Sequence, residues 1–313
     1  MLFSETETNK KLAQRIFLNS LDECVHFPKY FEIETVNACN ARCVMCTVNA
    51  WDKKKNQVMS KDLFEKFVLE AAGYKDWIET VCLSRDGEPT LDRHLSQRVK
   101  MLKDVGIRKV TFSTNGQLLV ANLVRDLIEA ELDDIMVSID GLTKSTFEEI
   151  RRGLDFASVV ENTKKLIHLR DKMQSAMTIR IRMVANPLNL NEADAWMDYW
   201  NQLTGEQDRV YIMPMHTWGN QIDLSAPASL PSIITPCVSP FSTMIIHADG
   251  SVGLCGVDYS NKHLLGDFTR QSVKDIWQGE GFSRVRQLHA TGNREEIDLC
   301  VGCDLWDREY KEL

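Results

Sequence analysis

The stretch that decides the fold is YFEIETVNACNARCVMC, running from Tyr30 to Cys46. Its first half alternates apolar and polar residues, the pattern of a strand over Tyr30–Val36. Its second half drops Cys39, Cys43 and Cys46 into a loop directly after that strand. A disulfide would take two of these thiols and strand the third. A closed structural zinc site takes four ligands. Three thiols at this spacing describe a metal site that is one ligand short, and thiolates suit both zinc and iron–sulfur clusters. A 4Fe-4S cluster held by three cysteines leaves one iron open, so it is the better fit. The loop also lies where parallel α/β folds carry their chemistry, at the carboxyl end of a strand.

The bulk properties agree with a reduced intracellular protein. The chain has 313 residues, 43% apolar and 26% charged, with a formal net charge of −8. An acidic balance argues against a nucleic-acid partner, because phosphate binding is driven by basic surface. No apolar run is long enough to span a membrane, and the start lacks the basic and apolar regions of a secretory signal. We therefore expect a cytoplasmic protein with no membrane partner. Its nine cysteines then favour metal or catalysis over disulfides.

Working outward, strand and helix patterns alternate. Strands are expected at Trp77–Ser84, Lys109–Thr114, Asp134–Asp140, Thr178–Asn186 and Arg209–Met215. Helices are expected between them: one capped by Ser60, one stopped by Gly106, one over Phe156–Lys172. A leader over residues 1–29 holds a short amphipathic helix near Lys11–Leu21. Six strand–helix units predict parallel strands with right-handed crossovers. Six are fewer than the eight of a closed barrel, so the expected fold is α/β, a partial (βα)6 TIM-like barrel over residues 30–224.

After Trp218 the pattern breaks into a proline-containing segment, Gln221–Pro236. A C-terminal domain is expected over 225–313. It opens with a hairpin, STMIIHADGSVGLC (Ser242–Cys255), turning at Asp249 and Gly250. It holds a second cysteine set: Cys237, Cys255, Cys300 and Cys303. Four thiolates complete a coordination set, and on chemistry alone zinc and 4Fe-4S stay equally open. Cys24 and Cys82 are left over. Cys24 reads as an incidental thiol, and Cys82, inside a strand, as a small apolar residue.

At this point the motifs resemble a family. CNARCVMC is similar to the C-x3-C-x2-C signature of the radical S-adenosylmethionine (SAM) superfamily. DGEPT (Asp86–Thr90) resembles its GE motif, and STNG (Ser113–Gly116) and SIDG (Ser138–Gly141) resemble its strand-end segments. IRRG (Ile150–Gly153) resembles a following segment with a carboxylate-binding arginine. The resemblance implies a cluster on Cys39, Cys43 and Cys46 that chelates SAM and yields a 5′-deoxyadenosyl radical. It implies SAM contacts from Gly87, Glu88, Pro89, Ser113, Asn115, Ser138, Asp140 and Arg151, with Glu88 on the amino group. CVSPF, GSVGLC, LLGDF and DIWQG resemble segments of the twitch domain, the short form of the SPASM domain. That resemblance implies one auxiliary 4Fe-4S cluster on Cys237, Cys255, Cys300 and Cys303.

The motifs specify cofactor more than substrate. Asp86 and its neighbour Arg85 sit at the mouth of the second barrel strand. Arg180 and Arg182 alternate along one strand and so share a face. His216 and Trp218 follow the sixth strand. Cys82, Arg182, Asp86 and His216 are the candidate catalytic residues. The chain resembles, in size and domain plan, the aminocyclitol dehydrogenase of butirosin biosynthesis. The expected function is therefore oxidation of a small hydroxylated substrate, with the auxiliary cluster accepting an electron and a flavodoxin- or ferredoxin-type reductant supplying one. A sugar epimerase of the neomycin type, with Cys82 returning a hydrogen atom, is the alternative. A peptide maturase and a non-enzymatic iron–sulfur or zinc protein stand further off.

Overall fold

The computed structural model describes residues 2–50, 57–216, 218–219, 221, 235–303 and 305. Strand β1 (Tyr30–Ile33) leads into a small antiparallel pair, β2 (Val36–Asn37) with β3 (Gln57–Val58). That pair brackets the cysteine loop. Then follow β4 (Thr80–Cys82), β5 (Val110–Thr114), β6 (Asp134–Ser138), β7 (Thr178–Ala185) and β8 (Arg209–Pro214). Strands β1, β4, β5, β6, β7 and β8 pair in that order, all parallel. This is the six-unit partial barrel that the alternating pattern implies.

Local signals set the crossover helices. Ser60 Oγ accepts from Leu63 N at 3.1 Å and starts the helix Lys61–Ala72, as its capping chemistry requires. Asp155 does the same for Ser158 N at 2.8 Å, opening Phe156–Lys172. Gly106, at φ +89°, turns the chain after Leu95–Asp104, a conformation that suits glycine. A helix that periodicity did not flag, Lys144–Ile150, starts at the Thr143 cap.

The N-terminal helix is displaced from its expected place, covering Glu7–Arg15 instead of Lys11–Leu21. Thr6 accepts from Asn9 N at 3.2 Å and begins it early, and Phe17 at φ +56° ends it. The leader is no loose tail. It buries Phe3, Leu12, Ile16 and Cys24 against Phe241, with the Phe3 and Phe241 rings 5.7 Å apart edge to face.

The C-terminal hairpin forms as read: β9 (Thr243–Ile246) pairs antiparallel with β10 (Ser251–Gly253), and Gly250 takes φ +87° at the turn. Its placement is new. Strand β9 lies parallel beside β1, on the side opposite β4, and β11 (Gly266–Asp267) extends the sheet beyond β10. Barrel strands and C-terminal strands therefore form one nine-stranded sheet. The boundary expected at 224/225 lies outside the described residues. Trp277 joins the same core and donates from Nε1 to the Cys24 carbonyl at 2.7 Å. No helix among the described residues is long and apolar enough to cross a membrane.

Phe31 sits at the centre of this arrangement, 1% exposed, edge-on to Phe67 at 5.0 Å. Phe31→Ala should cost about 3–5 kcal/mol, the usual penalty for emptying a large aromatic site. Because β1 carries both neighbours, barrel and C-terminal signals should shift together in denaturant titrations followed by fluorescence and circular dichroism.

Candidate active site

The carboxyl ends of the parallel strands open on a cavity of about 310 Å³. Cys39, Cys43 and Cys46 line it. Burial pushes the Cys39 thiol up to about 12 and Cys46 up to about 11. These groups hold their protons until a metal displaces them. No three of the chain's thiols have sulfurs all within 4.8 Å of one another among the described residues. Thiolates sharing one zinc at about 2.3 Å lie only about 3.8 Å apart. The sulfurs are therefore not gathered as a single zinc ion would hold them.

The GE motif is fastened to the cysteine loop. Glu88 N donates to the Ala38 carbonyl at 2.7 Å. A Cβ on Gly87 would come within 2.2 Å of the Val36 carbonyl oxygen and 2.7 Å of that of Ala38. Only glycine permits this approach. The Glu88 carboxylate accepts from Thr90 N, Thr90 Oγ1, Thr114 Oγ1 and Asn115 N at 2.6–3.1 Å. The sequence reading gave this carboxylate to the SAM amino group. In the fold it is taken up by four donors of its own chain, and it braces the end of β5 against the turn after β4. Asn115, so placed, donates from Nδ2 to Asn40 Oδ1 in the cysteine loop at 2.7 Å.

On the far wall, Arg151 forks onto Asp140 Oδ2 through Nε and Nη2, both at 2.7 Å, and its Nη1 lies 3.9 Å from Cys43 Sγ. Arg182 differs. It is half-buried, donates to Ser138 Oγ at 3.0 Å, and makes no ion pair among the described residues; its Nε has no partner. Burial pulls its pKa down. Arg180 on the same face is already paired, with Asp134 at 2.6 Å. Arg182 is thus the unpaired guanidinium of the cavity wall.

The opposite wall is acidic. Arg85 bonds Asp86 Oδ1 at 2.7 Å and lies 3.5 Å from Glu32. Burial pushes the Asp86 carboxyl up to about 7 despite Arg85, and it raises Glu32 as well. Arg85 also reaches the Cys255 carbonyl at 3.4 Å. That bond joins the cavity wall to the second cysteine set. Cys82 lies between, its Sγ 3.3 Å from Ser84 Oγ.

Cys237, Cys255, Cys300 and Cys303 line one small cavity with His289 and Arg294. His289 Nδ1 accepts from Cys237 N at 3.1 Å, which leaves its proton on Nε2, 3.6 Å from Cys300 Sγ. Burial pulls the ring's pKa down to about 3, so it is a neutral N–H donor to a ligand sulfur. Sequence reasoning missed His289.

Of the expected site residues, Gly87, Glu88, Ser113, Asn115, Ser138, Arg151, Cys82, Arg182, Asp86 and His216 line the main cavity with the three cysteines. Pro89 and Asp140 do not. Pro89 starts the turn after Glu88, and Asp140 stands behind Arg151, accepting from Val184 N at 2.7 Å. Asp258 braces a turn through Lys262 N and His263 N. Glu32 lines the cavity and was not singled out. Its signal was present: Tyr30, Glu32 and Glu34 share one face of a strand that has neighbours on both sides.

Comparison with known proteins agrees with this geometry. Residues 33–181 match the radical SAM superfamily, and 237–304 match SPASM, an iron–sulfur cluster-binding domain. The chain carries a radical SAM domain and a SPASM domain, which imply a SAM-binding 4Fe-4S cluster and an auxiliary iron–sulfur site. A probable GTP 3',8-cyclase of Sulfurisphaera tokodaii is 29% identical over 188 residues, 60% of this chain and 56% of that protein. One of Saccharolobus islandicus is 31% identical over 189 residues, 60% and 57%. The chain thus spans under three fifths of the length of these relatives. Among solved structures, BtrN in complex with AdoMet and 2-DOIA has a TM-score of 0.59 at 19% identity, covering 87% of this chain and 91% of that one. Streptococcus suis SuiB bound to precursor peptide SuiA scores 0.67 at 14%, covering 88% and 69%. A tagged anSMEcpe with bound AdoMet scores 0.64 at 16%, covering 91% and 89%. These share the fold.

Two measurements test the metal assignments. Replacing Cys39, Cys43 and Cys46 together by Ala should abolish 5′-deoxyadenosine formation and leave about half the iron, since the two sites are separate. His289→Phe should keep all the iron and lower the auxiliary midpoint potential, because it removes an N–H directed at a ligand sulfur. An unmoved potential in redox titration would deny that hydrogen bond its role.

Proposed function

We propose that the chain oxidises a small hydroxylated substrate of the sugar or aminocyclitol class. The observation that carries this reading is the Arg85 bond to the Cys255 carbonyl. It supports an auxiliary cluster held close behind the wall of the SAM-binding cavity. Four cysteine ligands leave no open iron there for substrate. When bound, the SAM-binding cluster and SAM supply a radical that takes one hydrogen atom, and the auxiliary cluster supplies an electron acceptor. The reducing electron comes from a flavodoxin- or ferredoxin-type partner.

The chain's own residues do the rest. Arg182, unpaired at the wall, orients an oxygen of the substrate. Glu32, raised by burial and facing the cavity, takes the hydroxyl proton, since a carboxylate poised nearer neutrality is the better base. Loss of a hydrogen atom, a proton and an electron gives a product two hydrogens lighter. The probable GTP 3',8-cyclases suggest a nucleotide substrate. One unpaired guanidinium facing the Glu32 and Asp86 carboxylates suits a small polar molecule better than a triphosphate.

Cys82 supports a second reading. Its thiol lies on the cavity wall, where it suits return of a hydrogen atom in an epimerisation. Product mass after turnover of candidate polyols in deuterated water separates the two. A product two hydrogens lighter, unchanged in Cys82→Ala, marks oxidation. An isomer carrying one solvent deuterium, lost in Cys82→Ala, would replace oxidation by epimerisation. Glu32→Gln should slow turnover by about a hundredfold or more and leave SAM binding unchanged.

A further inference from the structure

Behind the cavity wall, three buried side chains of ligand type converge. Glu34 follows β1, Asp86 follows β4 and His247 follows β9, so three adjacent parallel strands deliver them to one place. His247 Nδ1 lies 3.5 Å from Glu34 Oε2 and 4.0 Å from Asp86 Oδ2. Neither gap is a good hydrogen bond. Both approach the separation of about 3–4 Å between donors on one first-row ion, whose bonds are near 2.1 Å. One donor atom from each residue lies within 4.8 Å of the other two.

Two further facts point to a ligand. Asp86 Oδ2 has no hydrogen-bond donor although its side chain is 1% exposed. A carboxylate oxygen orphaned in a dry site needs a positive partner. Arg85 is spent on Asp86 Oδ1 and Glu32. Glu32, Glu34 and Asp86 therefore gather around one guanidinium, and a divalent cation would add positive charge where Asp86 Oδ2 lacks a donor. The outer side of the ring is also prepared. His247 Nε2 and Asn261 Oδ1, both unpartnered, lie 3.2 and 2.8 Å from the point a Gly253 side chain would occupy. A metal-bound histidine commonly donates its second N–H to an acceptor, and here the two atoms stand near one point without a hydrogen bond between them.

We propose that Glu34, Asp86 and His247 hold one divalent ion of the manganese or zinc class, bound through two carboxylate oxygens and Nδ1. Imidazole and carboxylate donors suit these metals. The ion fixes the end of β9 to the ends of β1 and β4, and so fixes the C-terminal domain on the barrel. The site uses no cysteine, and of its three residues only Asp86 also lines the main cavity.

The test uses holoenzyme with both clusters loaded, so that iron occupies the thiols. After a chelator wash, Mn2+ is titrated and free ion counted by its EPR signal. One Mn2+ should bind per chain, and Zn2+ should displace it. Asp86→Asn and Glu34→Gln should each weaken binding by at least about tenfold, with cluster iron and circular dichroism unchanged. Failure of the wild type to retain one ion, or equal binding in Asp86→Asn, overturns the site. If a variant fails to load its clusters, pulsed EPR of Mn2+ bound to the wild type decides instead. One imidazole nitrogen coupling upholds the assignment, and its absence rejects it.

Discussion

Strand β1 carries the structure because it is hydrogen-bonded in parallel on both sides. Its register with β4 aligns Glu32 with Cys82, and its register with β9 aligns Ile33 with Ile246. Three groups leave carboxyl ends within that three-strand span: the cysteine loop after β1, the GE turn after β4 and the hairpin after β9. Parallel pairing brings these ends to one side without further machinery. A barrel of six strands has two free edges. One of them is closed by the domain that carries the other cysteine set, which is why the two metal sites come to lie near each other.

The charges in the cavity divide by whether they are already answered. Arg151 is answered by Asp140, Arg180 by Asp134, and Glu88 by four donors. Such buried, paired groups set shape: they hold loops in one position. Arg182 is the exception at the wall, and Glu32 is answered only by Arg85, which it shares with Asp86. The contrast between paired and unpaired groups, more than the identity of any one residue, marks which side chains are left to act on what enters.

Much of this was legible in the sequence because it is local. Caps such as Ser60 and Asp155, the turn at Gly250 and the cysteine spacings announce themselves within a few residues. The N-terminal helix was misplaced because its start rests on one threonine cap upstream of the apolar pattern. What stayed hidden depends on contacts between distant segments. Nothing near Thr243 says that it pairs with Tyr30. The donors that Thr114 and Asn115 bring to Glu88 come from the next strand and its end. His289 matters only because folding sets it against Cys300.

The same topology orders how the molecule is built. Strand β1 precedes β4 in the chain, but its other edge waits for β9, which follows all the barrel strands. Until then a parallel edge next to the three-cysteine loop lies bare, an invitation to wrong partners. The leader's apolar face, which packs on Phe241, waits equally long. The first loop is therefore made before the second site exists. A nascent chain halted between the two would be an adhesive intermediate, and its maturation is coupled to its own completion.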